Sequence, residues 1–94
     1  MIPLGQVILG TVMLYMNRLD EAERYAREAL VLDAGTQDAY LLLAAVHGEK
    51  NDYAAEVRDL DDFLHLEPKS PRTNSVRDIR SAAEGLATHL AQKR

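Results

Sequence analysis

Three histidines, His47, His65 and His89, and four crowded acids, Glu56, Asp59, Asp61 and Asp62, are the residues of this 94-residue chain best suited to hold a metal ion or move a proton. A metal site needs several such donors converging on one point. The histidines stand too far apart for a local motif, and acids on a helix splay around its axis. His47 therefore reads as a histidine satisfied in the core or at the edge of a groove. The acids read as a solvated convex face, or as a seat for the basic end of the chain. The chain has no cysteine, which excludes disulfides, thiolate ligands and thiol nucleophiles. No hydroxyl nucleophile has a base beside it, no glycine-rich loop offers to cradle phosphate, and no carboxylates pair in a plausible pocket. The sequence thus predicts neither catalysis, cofactor nor metal.

Charge is distributed unevenly. Residues 1–34 have 3 basic and 5 acidic side chains, residues 35–70 have 3 and 8, and residues 71–94 have 5 and 2, for a net charge of -4. The basic segment, with Arg72, Arg77 and Arg80, is expected to dock on the acidic middle of its own chain. An acidic chain with no nucleic-acid-binding motif gives no reason to expect nucleic acid as a partner.

The apolar opening, Met1 to Met16, has no basic residue ahead of it and no small-residue cleavage site, and it falls short of the roughly 20 residues that span a bilayer. No membrane insertion is expected. The sequence names no compartment; a soluble, cytoplasmic setting fits it better than a periplasmic one.

What must position these residues is a set of helices, and their spacing repeats. Leu9-Gly10 recurs 34 positions later as Leu43-Ala44, Asn17-Arg18 as Asn51-Asp52, and Ala29-Leu30 as Phe63-Leu64. A fixed period of about 20 to 50 residues marks a stack of supersecondary units. Each unit reads as a helical hairpin. In the first, Leu4, Val7, Ile8, Met13 and Leu14 follow helical spacing up to a polar turn at Asn17-Arg18. Ala22, Tyr25, Ala26, Ala29 and Leu30 form the stripe of a partner helix over Leu19–Leu32, where Gly35 is expected to supply a left-handed cap. The second begins at Thr36 or Asp38 and ends at Glu67-Pro68. Beyond it, Ser70 and Pro71 read as the N-cap and first residue of a last helix, with Val76, Ile79, Ala83, Leu86 and Leu90 on one face.

Period and pattern together resemble the tetratricopeptide repeat (TPR). Leu9-Gly10, Met13, Ala22, Ala29 and Asp33-Ala34 carry it in the first unit, and Tyr40, Leu43-Ala44, Tyr53 and Glu67-Pro68 in the second. The resemblance implies an all-α, antiparallel helix-hairpin solenoid of five helices. Repeat one would cover residues 3–34, repeat two 37–70 and a capping helix 71–91, in a single domain cut from a longer protein. Two residues depart from the pattern, Glu56 at the position of Ala22 and Phe63 at that of Ala29. Glu56 is therefore expected to be at least half exposed or to meet an arginine of the last helix such as Arg80.

In TPR proteins the first helices of the hairpins line a concave groove. Carried over, the groove here comprises Leu4, Val7, Thr11, Asp38, Leu41, Ala45, Glu49, Arg72, Ser75 and Ile79. Some family members clamp an acidic C-terminus with Lys, Asn and Arg at positions that here read Val7, Thr11, Leu42, Arg72 and Val76. Only Arg72 fits, so no such clamp is expected. An apolar groove suits a protein or peptide partner presenting apolar side chains. The alternative is a structural segment that stacks on further repeats or on its own copies. Two repeats are few for a stable array, and Ile2, Leu4, Ile8 and Tyr15 would leave the first helix with an uncovered apolar side. Homodimerisation through that helix is the expectation.

Overall fold

A computed structural model describes residues 3–93. It is all-helical, with α1 over Leu4–Tyr15, α2 over Leu19–Leu32, α3 over Gln37–Glu49, α4 over Tyr53–Leu66 and α5 over Thr73–Gln92. The helices form a flattened body of 43 × 31 × 19 Å. α1 folds back on α2, α3 on α4, α3 also packs on α2, and α5 closes the other side of α4.

Both hairpins turn in the same way. Asn17 and Asn51 each take φ 60, the left-handed region that asparagine tolerates better than most side chains. At the first turn Arg18 N–H donates to Met13 O and Asn17 N–H to Leu14 O. At the second, Asp52 N–H donates to His47 O and Asn51 N–H to Gly48 O. These paired bonds are a Schellman cap, which satisfies carbonyls that a helix end would otherwise leave without partners. The two turns differ at the start of the next helix, because the Asp52 carboxylate accepts from Ala55 N–H at 3.3 Å whereas Arg18 offers α2 no side-chain cap.

Two sequence expectations are corrected at the other junctions. Gly35 does not adopt positive φ; its N–H instead donates to Asp33 Oδ1 at 2.8 Å, so a local aspartate turn replaces the glycine cap. α5 begins at Thr73 rather than at Pro71. Ser70 N–H donates to Thr73 Oγ1 at 2.9 Å and Thr73 Oγ1 also bonds Glu67 O at 3.2 Å, so a buried threonine ties the entry of α5 to the end of α4.

The core is two clusters. Ala22, Ala26, Leu42, Leu43 and Val46 join α2 to α3, and Ala44, Leu60, Phe63 and Val76 join α3, α4 and α5. At the first, Gly10 is required: a Cβ there would stand 2.5 Å from Leu42 Cδ2 and 3.2 Å from Ala22 O. The second hairpin solves the same problem by exchange. Where the first has Leu14 and Ala22, the second has Gly48 and Glu56. The Glu56 carboxylate occupies the space a Gly48 side chain would fill, 3.1 to 3.2 Å from that Cβ position. Likewise Phe63, fully buried, replaces Ala29 and supplies the bulk of the second cluster.

The basic end of the chain docks on the acidic middle, as its charge predicts. Arg72 pairs with Asp38 at 2.8 Å and Glu67 at 3.6 Å, and Arg80 pairs with Asp61. α5 buries only Thr73, Val76 and Ala83. Ile79, Leu86 and Leu90, expected on its packed face, stay about half exposed.

Candidate functional site

α5 leans on α4, with Thr73, Val76 and Ala83 as its buried residues, and leaves a furrow against α3. Leu41, Ala44, Ala45, Leu60, Ser75, Val76 and Ile79 line one part of this furrow, with Arg72 and Glu56 at its edges. It continues past Ala45, Glu56 and Ile79 into a second part lined by Gly48, Glu49, Tyr53, Ala82, Ala83 and Leu86. The two parts hold about 370 and 350 Å³. α3, α4 and α5 all contribute to its lining, which is concave and mainly apolar, as sites for apolar side chains usually are.

Its charges are not equivalent. The Arg72 guanidinium is held by Asp38 and Glu67 and lies 5.0 Å from the centroid of the Phe63 ring. Asp38 first, and then Glu67, push its pKa up, keeping it charged while their carboxylates balance that charge. Among the described residues, Glu56 has no such neighbour. Burial, followed by the adjacent Asp59 charge, pushes its carboxyl above the usual carboxylate range, with His47 opposing weakly. The expected pairing of Glu56 with Arg80 is therefore wrong: Arg80 is engaged by Asp61 and Glu84, and Glu56 is part-buried rather than half exposed.

The furrow brings together six of the sequence-derived groove residues, Leu41, Ala45, Glu49, Arg72, Ser75 and Ile79. Asp38 joins them only through Arg72. Leu4, Val7 and Thr11 lie apart on α1, where Leu4 is exposed and the Thr11 hydroxyl is occupied by Val7 O at 2.8 Å. Leu42 is buried in the first cluster and unavailable to a ligand. Tyr53, Glu56 and Leu86 line the furrow without having been expected there. Glu56 had a signal, its intrusion at a small-residue position; Leu86 had none, since its spacing is that of a packed residue.

Beside the furrow, on α3 and α4, lies a polar junction. His47 is buried, its Nδ1 2.5 Å from Asp59 Oδ2 and its Nε2 3.8 Å from Glu23 Oε1. Lys50 bonds Asp20 at 2.6 Å and Glu23 at 3.3 Å. Lys50 and Arg27 draw the Glu23 carboxyl below its ordinary value against burial, whereas burial pushes Asp59 up despite its bond to His47. This junction joins α2, α3 and α4 and has the satisfied histidine the sequence predicts. It corrects the reading of Asp59 as a solvated acid. Among the described residues, no group of side chains is arranged to hold a metal ion.

α1 has a further apolar surface. Leu4 is 58%, Ile8 54%, Tyr15 86% and Met16 56% exposed, which are large fractions for such side chains. Ile2, assigned to the same surface, lies outside the described residues. No helix among the described residues is long and apolar enough to cross a membrane. Comparison with protein-family models, curated proteins and solved structures found no match to this chain.

Proposed function

We propose that the chain is a non-catalytic TPR-type interaction module that binds an apolar peptide or protein segment in the furrow between α3 and α5. The observation that carries this is the continuous apolar lining from Leu41 and Val76 to Ile79 and Leu86, open to solvent and flanked by charged edges. Burying it against apolar side chains would contribute about 25 cal/mol per Å² of covered surface, while the edges would fix register. The 34-residue recurrence of the asparagine turns and of Leu9-Gly10 as Leu43-Ala44 supports the TPR assignment.

A second reading is supported by α1: its exposed Leu4, Ile8 and Tyr15 suit a structural segment that associates with its own copies. Two substitutions separate them. Peptides selected from a random dodecapeptide display library serve as probe, with binding followed by calorimetry and oligomeric state by sedimentation. Ile79→Glu is expected to abolish peptide binding without altering sedimentation, and Ile8→Glu to leave binding intact. Loss of binding only through Ile8→Glu, with dissociation of an oligomer, establishes the structural reading instead.

A further inference from the structure

We propose that the furrow selects an apolar segment carrying one lysine or arginine, whose cation pairs with Glu56. This rests on the binding role proposed above and specifies its partner.

Among the described residues, the furrow is lined by one cation and two acids of different standing. Arg72 already has Asp38 and Glu67 as counter-ions and a ring beneath it, so it has little left to offer an incoming carboxylate. Glu49 and Glu56 face the furrow, and Glu56 borders both of its parts. The other acid raised by burial, Asp59, has His47 bonded to it, whereas no lysine or arginine among the described residues acts on Glu56. A part-buried carboxylate without a counter-ion is costly, and a cation arriving beside it gains a charge-assisted bond in a site poorer in water than the surface.

Position makes the preference selective. Glu56, with Ala45 and Ile79, lines both parts of the furrow where they meet, and Gly48 leaves room for its carboxylate. Aliphatic side chains of a bound segment would fill both parts of the furrow while a cationic side chain between them reached Glu56. A segment with an acid there would face Glu49 and Glu56 together, so the same arrangement rejects acidic partners. The chain's own α1 supplies no such cation, since residues 4–16 include no charged side chain.

The test is a double-substitution cycle on the 94-residue chain, with display-selected dodecapeptides as probes. Selected peptides are expected to have a lysine or arginine among aliphatic residues. Glu56→Gln, with an unchanged helical circular dichroism spectrum, should weaken binding about tenfold, as should norleucine in place of the peptide's basic residue. Both changes together should lose little more than either alone. Binders that Ile79→Glu abolishes but that lack a basic residue, or that ignore Glu56→Gln, overturn the cation pairing and leave the furrow reading standing. Displacement of the probe by a synthetic peptide of residues 4–16 likewise overturns it, in favour of a second copy as occupant. Absence of binders, or binders indifferent to Ile79→Glu, overturns both proposals.

Discussion

The two hairpins share a period and a turn but not an interior. In the first, glycine and alanine let α1 and α2 approach, and Leu14 fills the space beside them. In the second, the large and small positions are exchanged: Gly48 makes the space and Glu56 occupies it, while Phe63 provides volume where the first hairpin has Ala29. Packing constrains the sum of volumes across an interface more tightly than the residue at each position. The exchange also has a chemical result, because it brings a carboxylate to the edge of the apolar furrow between α3 and α5. The departures from the repeat, rather than the repeat itself, give the second hairpin its distinguishing surface.

The strongest way to break this comparison is through the bulk residues. Phe63→Ala empties a fully buried site that seats α5 and supports Arg72, and should destabilise the fold by about 3–5 kcal/mol in denaturant titrations. A loss below about 1 kcal/mol would show that Phe63 does not hold the second cluster together. The glycines come next. Gly10→Ala meets backbone and Tyr25 Cβ at 3.2 Å, as well as Leu42, and should cost about 1–3 kcal/mol. Gly48→Ala meets only the end of Glu56, which can move, so the gain in helix propensity should keep its effect within about 1 kcal/mol of zero. Equal losses at both positions would contradict the exchange.

The polar junction sharpens the contrast further. His47 and Asp59 stand where the first hairpin has Met13 and Tyr25. Asp59→Ala leaves His47 buried without its partner and should cost about 1–3 kcal/mol, and adding His47→Met, the residue of the first hairpin, should recover part of that loss. Additive losses in thermal unfolding would mean the two side chains act separately.

The smallest effect is the pH dependence of Glu56. Its carboxyl titrates above 4.5 in the fold, so the folded state binds the proton more tightly than the unfolded chain does. That contribution to stability is present below pH 4.5 and is lost as pH rises through the folded value, above which the ionised group is a net cost. Glu56→Gln should therefore melt slightly higher than the parent near neutral pH, with the gap closing below pH 4.5. A variant that melts lower at neutral pH would show that Glu56 has a stabilising partner.

Helices, turns and most of the buried stripes were legible because each depends on local spacing. Ala22, Ala26 and Ala29 recur at helical intervals and are all buried, and the asparagine turns could be read from two copies of the same dipeptide position. What spacing could not convey was which long side chains find each other. Arg80 reaches Asp61 rather than Glu56, a contact between α5 and α4 that no local spacing encodes. Ile79 and Leu86 have the periodicity of a packed face, yet the residues α5 buries are Thr73, Val76 and Ala83, and Ile79 and Leu86 are left half exposed at the furrow. α1 failed to join the site because the furrow forms between α3 and α5, a feature of the last helix's placement and not of the repeat.

Occupancy of the furrow is the central claim, and chemical-shift mapping tests it most directly. On titrating a selected dodecapeptide into ¹⁵N-labelled protein, the amides of Leu41, Ala45, Glu56, Ser75 and Ile79 should shift together while those of Leu4, Ile8 and Tyr15 stay in place. Shifts confined to α1, with Ala45 and Ile79 unmoved, would contradict it.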